Sequence, residues 1–175
     1  MDVFWTNGFQ GTSVDDLQEA IGIKRGSFYA SFGSKDDVFA SVLRKYWEEA
    51  TEAGLKHLDG NDSPRQSIAN HIRYVGDFMT QNTPRGCLLL SSSGDAAIAT
   101  SGDARLVAEH MRNLEARIGS VLAKEETGLC KREAKNLTAY AMTVLLGLNA
   151  MAKTGQKGDE IRAAAEFAAK SILSA

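Results

Sequence analysis

Residues 23–35 read IKRGSFYASFGSK. Lys24, Arg25 and Lys35 enclose a run of aromatic and hydroxyl side chains, with no acid among them. Cations and hydroxyls of this kind bind phosphate oxygens, and the same groups donate to and accept from base edges. Whether they act together depends on what holds them. Phe28 and Phe32 lie four apart, which on a helix points both to one side, into a core. Lys24, Arg25, Ser27, Tyr29 and Ser31 are then left for phosphates and bases. Gly26 has no side chain, so another backbone could approach closely there. Lys35 and the N–H groups after Ser34 are placed to hold a further phosphate at a helix start.

The elements around this stretch are legible. Ser13 is followed three residues later by Asp16, an acidic form of the capping box, so a helix starts there. Val14, Leu17 and Ile21 form its apolar face, and Gly22 ends it. A short helix, Lys24–Ser31, follows the glycine turn. Two short helices joined this way form a helix-turn-helix, whose second helix enters the DNA major groove by its N-terminal part. Residues 2–7 read as the end of an earlier helix that stops at Gly8. Ser34 caps a fourth helix running to about His57, with Asp36 and Asp37 in its first turn.

The rest of the chain also reads as helical. Pro64 suits the first position of a fifth helix, which ends before the NTPRG segment. A short helix begins near Gly86, and the Ser/Gly segment 91–103 leaves its end undefined. Further helices span about 104–126, 132–153 and 159–173. The fold class is all-α, with a helix-turn-helix head over 1–46 and a larger helical body over 47–175.

Composition bounds the function. The 175 residues carry a net charge of −2, are 43% hydrophobic and 24% charged, and fit a globular chain. A slightly acidic total leaves room for a local basic face. No stretch has the ~18 consecutive apolar residues of a membrane helix, and no signal peptide precedes the first element. Cys87 and Cys130 form no CxxC motif and suit a reducing, cytoplasmic setting. His57, His71 and His110 are scattered, without metal-ligand spacing. No nucleophile–base pair or phosphate loop appears, so neither an enzyme nor a cofactor is expected.

In the body, Tyr74 and Phe78 lie four apart on the fifth helix, and Met111 and Met142 lie on later ones. Aromatics with adaptable methionines suit a cavity for an apolar small molecule, and equally an ordinary core. Cys87 follows Arg85 and Gly86 at a helix start, where the dipole and the cation would lower its pKa. It is a candidate sensor of oxidants or electrophiles, or else a small buried hydrophobe. The last two helices are apolar on more than one side. Val144, Leu148, Ile161, Ala164, Ala165, Ala168 and Ile172 would form a four-helix dimer interface with a second copy, or bury each other within one chain.

The segment GFQGTSVDDLQEAIGIKRGSFYASFGSKDDVF, Gly8–Phe39, resembles the DNA-binding head of the TetR/AcrR family of transcriptional repressors. It carries G-F-x-x-T-S before the second helix, the A-x-I-G turn, and G-S-F-Y-x-x-F-x-S-K-D-x-V-F. Stretches such as RGCLLL and LLGLNAMAKTG look like the body of such regulators. The resemblance implies a homodimer on a palindromic double-stranded operator, with a small-molecule effector in the body spreading the two heads. It gives Thr12 and Ser13 the capping of the second helix and a phosphate contact. It sets Lys24 and Ser27 in the groove, and Tyr29 and Lys35 on the DNA backbone. The chain departs from the pattern at Ser31, often His in the family, and at its start, where the first helix looks incomplete. The competing expectation is therefore a helical ligand-binding dimer without effective DNA binding.

Overall fold

A computed structural model of the chain describes residues 1–59, 62–81, 86–92 and 103–175. Every regular element among them is helical: α1 Asp2–Asn7, α2 Val14–Ile21, α3 Arg25–Phe32, α4 Lys35–Tyr46, α5 Glu52–Leu55, α6 Pro64–Thr80, α7 Leu88–Ser92, α8 Asp103–Leu122, α9 Lys131–Lys153 and α10 Gly158–Ser174. A π-helical turn, Trp47–Thr51, joins α4 to α5, and a 3-10 turn, Lys56–Leu58, follows. The fourth helical run thus extends as far as its sequence indicates, with its ladder altered in the middle.

The starts and stops follow from side-chain chemistry. Both Ser13 and Ser34 accept from the N–H three residues on, while Asp16 and Asp37 accept from the cap N–H in return. Each box satisfies two donors that a helix start leaves unpaired. Between α2 and α3, Gly22 adopts φ 75° and its N–H donates to the Gln18 carbonyl. That left-handed turn strains any residue with a Cβ, and it reverses the chain within two residues.

Three rings centre the head. Phe4 meets Phe39 edge-on at 4.9 Å and Phe9 lies 5.0 Å from Phe39. Phe28 is wholly buried and anchors α3 against the same core. Burying a phenylalanine contributes about 1.5–3 kcal/mol, enough to fix a helix of only eight residues. Phe32 departs from expectation. It touches Phe28 at 5.5 Å but remains 40% exposed.

In the body, α6, α8, α9 and α10 share one apolar core around Ile72, Ile118, Leu145 and Ile161. α6 and α10 approach so closely that a Cβ added at Gly76 would stand 2.6 Å from that of Ala165. Arg73 clamps the pair, donating Nε to Glu166 at 2.6 Å and Nη2 at 3.3 Å.

This packing revises the expected dimer surface. Leu148, Ile161, Ala165, Ala168 and Ile172 are buried within the single chain, and Val144 and Ala164 are half-buried. The five are covered inside the chain's own core, and Val144 and Ala164 remain partly open. The outward face instead presents Tyr140, Leu146 and Gly147 on α9 and Ala163 and Phe167 on α10, with Phe167 73% exposed.

Candidate nucleic-acid interface and body cavity

α3 offers a bare start. Unlike α2 and α4, it has no side-chain cap and no acid in its first turn. Its N–H groups and dipole therefore favour an anion there. Lys24, Arg25, Ser27, Tyr29 and Ser31 are all exposed along it. Nothing lies within 4 Å of a Cβ placed on Gly26, so this face is open to a close backbone approach. Arg25 stands 3.9 Å from Asp15, both largely in solvent, a pairing too weak to hold it back from a phosphate.

Other expected contacts are placed differently. Thr12 is buried, and its hydroxyl donates to the Gly8 carbonyl at 2.7 Å. It neither caps α2 nor reaches a phosphate; Ser13 alone is the cap. The hydroxyl of Ser13 serves Asp16 in both directions. Lys35 is half-buried, donating from Nζ to the carbonyls of Phe9 and Thr12 at 3.0 Å each, with its charge 4.1 Å from the centre of the Phe9 ring. An ammonium has three donors, so two bind the head's own turn and one is left. At the start of α4, the Asp37 carboxylate occupies the cap and opposes a second anion.

The body holds an apolar cavity of about 70 Å³. Tyr74 and Phe78 line it, and so does Cys87. Met111 and Met142 do not: both pack in the main core instead. The walls that sequence reasoning missed are Tyr46 from α4 and two histidines, His71 and His110. Their positions, 39 apart on separate helices, carry no local signal, and only the packing of α6 against α8 relates them.

Both histidines are held neutral. Burial is the main cause for each, pushing both down to about 4, although the Gly54 carbonyl 3.0 Å from Nδ1 of His71 acts in the opposite direction. A carbonyl only accepts, so that nitrogen carries the proton. Unfolded imidazoles titrate near 6.5. Between these values the unfolded chain binds more protons, so stability falls as pH drops from about 6.5 towards 4 and is unaffected above that window. Each ring accounts for about 3 kcal/mol at most. Urea unfolding at successive pH values should show this loss, and His71→Gln with His110→Gln should flatten it.

Cys87 does not match the expectation of a lowered thiol pKa. Burial pushes it up, with the N–H of Leu90 and the Tyr46 hydroxyl offsetting part of the effect. Its backbone is a junction between elements. The N–H of Cys87 donates to Oδ1 of Asn149 on α9 at 2.6 Å, while the preceding carbonyl, of Gly86, accepts from the indole of Trp5 on α1 at 3.0 Å. Trp5 also packs edge-on to Tyr46 at 5.2 Å and lies 6.4 Å from Phe78. Tyr46, Phe78 and Cys87 all border the cavity. Cavity and head therefore share walls.

A helix-turn-helix with a bare, basic second helix, carried on a helical body with a partly open apolar site, is the arrangement of a DNA-binding regulator. Comparison with known proteins makes the class specific. The family model for bacterial regulatory proteins of the tetR family matches residues 1–42. The chain is 28% identical over 174 residues to the HTH-type transcriptional repressor BdcR of Escherichia coli K12, covering 97% of this chain and 83% of that protein. It is 25% identical over 167 residues to the repressor ComR of the same organism, covering 89% and 76%. A cysteine mutant of the TetR family transcriptional regulator CifR, complexed with 26-bp double-strand operator DNA, superposes with a TM-score of 0.85 at 26% identity, covering 97% of this chain and 91% of that one. The head thus matches the tetR family of bacterial regulatory proteins, and along most of its length the chain is similar to transcriptional regulators of that kind.

Among the described residues no three His, Cys, Asp or Glu side chains are arranged to hold a metal, and no helix is long and apolar enough to cross a membrane.

Proposed function

We propose that the protein is a ligand-responsive repressor. Residues 1–46 bind one half of a palindromic operator, and 47–175 hold the effector cavity and the dimer surface. The observation that carries this reading is the exposed face of α3, set on a wholly buried Phe28. Lys24 and Ser27 reach base edges. Arg25, Tyr29 and Ser31 take phosphates, and Gly26 lets the backbone close in. Lys35 holds the turn between α1 and α2 and spends its remaining donor on a phosphate. Two relatives named as repressors, and one regulator bound to operator DNA, support the assignment.

Dimerisation places two heads on one duplex. The surface we assign to it is the outward face of Tyr140, Leu146, Gly147, Ala163 and Phe167, since a phenylalanine 73% exposed beside small residues marks an interaction site. The effector acts through the shared walls: a molecule pressing on Tyr46, Phe78 or Cys87 shifts the neighbours of Trp5 and so the seat of α1. The test is a titration of the intact protein into a duplex selected from a random pool. We expect a dimer on each duplex and an affinity that falls steeply with salt, by about one unit of log–log slope for each phosphate contact. A monomer that binds no duplex above background leaves the body's ligand site as the protein's remaining role.

A further inference from the structure

The structure assigns a chemical class to the ligand of the body cavity: a small uncharged molecule with an apolar body and one hydrogen-bonding group, which His110 receives. The inference rests on the reading of this cavity as the effector site. It deepens that reading by stating what the walls accept.

The cavity contains one unmatched polar group. His110 is 4% exposed and borders the cavity, yet its Nδ1 has no hydrogen-bond partner among the described residues. Trp47 meets the ring edge-on at 4.8 Å and fixes its plane. A buried polar nitrogen without a partner is costly, and a ligand group that pairs with it removes that cost on binding. His71, the other polar ring, is already tied to Gly54. The remaining walls are mostly aromatic and aliphatic: Tyr74, Phe78, Leu90, Leu114 and Leu145.

Charge is excluded by the same walls. No Asp, Glu, Lys or Arg is among the described lining residues. A carboxylate or ammonium entering would lose its hydration with no counter-charge to replace it. Both histidines are neutral near pH 7, so they supply none. Size is bounded as well. An apolar cavity of about 150 Å³ takes benzene; this one is about 70 Å³, roughly half, so its interior holds about three or four heavy atoms and a longer ligand leaves its end in the mouth. Burial raises the thiol of Cys87, which disfavours its thiolate at neutral pH.

The test uses the intact protein and three probes of one size: butan-2-ol, butyrate and butylammonium. Binding is read from NMR shifts of the leucine methyls lining the cavity and of the His110 ring nitrogens. We expect butan-2-ol to bind at least about tenfold more tightly than either ion, and to move the Nδ1 resonance of His110. His110→Phe should weaken the alcohol by about tenfold, the effect of one hydrogen bond. His110→Gln, which keeps a polar group, should recover most of that loss and guards against a merely misfolded variant. Equal binding of the ions, or an alcohol affinity indifferent to His110→Phe, would overturn the assignment. Operator affinity measured in the same samples separates the two readings. An alcohol that fills the cavity and leaves operator affinity unchanged refutes the effector role and upholds the ligand class.

Discussion

Phe167→Glu should convert the proposed dimer into a folded monomer, whereas its neighbour Ala168→Glu should unfold the chain. The two residues are consecutive on α10, about 100° apart around its axis, which is enough to put one in solvent and the other in the core. Phe167 is 73% exposed and Ala168 is 4% exposed within one chain. A glutamate at 167 stays in water in the monomer, so the protomer's own fold loses little, within about 0.5 kcal/mol for an exposed site. In the dimer it would place an unpaired charge in an apolar contact, which breaks association. At 168 the carboxylate enters the core shared by α6 and α10, where the chain is already in close contact at Gly76. The cost is several kcal/mol, comparable with the roughly 5–15 kcal/mol that holds a domain together. Sedimentation should give half the dimer mass for Phe167→Glu, with a native circular dichroism spectrum. Operator affinity should fall by about a hundredfold or more, because the two half-sites are no longer linked. A stable Phe167→Glu dimer would place the interface on another face.

Lys35→Met should weaken binding to every duplex alike and also loosen the head. The substitution keeps the apolar stem and removes the ammonium that holds the Phe9 and Thr12 carbonyls. Hydrogen bonds from a charged donor contribute about 1.5–3 kcal/mol each, and this side chain is half-buried, so we expect a net loss of about 2 kcal/mol or more in urea unfolding. The salt slope should drop by about one for the lost phosphate contact. Base preference should not change. Lys24→Ala provides the contrast: it removes an exposed side chain with no partner role in the fold, so stability should hold while preference among duplexes shifts. If Lys35→Met left stability intact, the ammonium would be free for DNA and its bonds to the turn would be incidental.

Much of the head was legible because its signals are local. Ser13 with Asp16, and Ser34 with Asp37, are three residues apart and fix two helix starts. Gly22 marks the turn between them and α3. Phe28 read correctly as an anchor, but Phe32 did not, since periodicity gives a face without saying how far its cover extends. Thr12 and Lys35 show a related limit of the sequence. Both are polar types that suit phosphate, yet each also bonds carbonyls of the head's own turn, which for Lys35 lie 23 and 26 residues away and leave it one donor. Most of the expected dimer stripe is buried by packing within the chain. Ala165 and Ala168 are small enough for any close contact, and the glycine that receives α10 is Gly76, on a helix far back in the chain. A lone phenylalanine among alanines at 167 was the available signal. His110 left no trace, because its neighbours Trp47, in the π-helical turn, and His71, on α6, are far from it in sequence.

The account stands or falls on whether the α3 face reads DNA. Parallel selections from a random duplex pool, by the intact protein and by its Lys24→Ala and Ser27→Ala variants, test this most directly. The account predicts a two-fold-related consensus for the wild type, with a matched position in each half relaxed by each substitution. No enriched sequence, or a consensus that both variants leave unchanged, would contradict it.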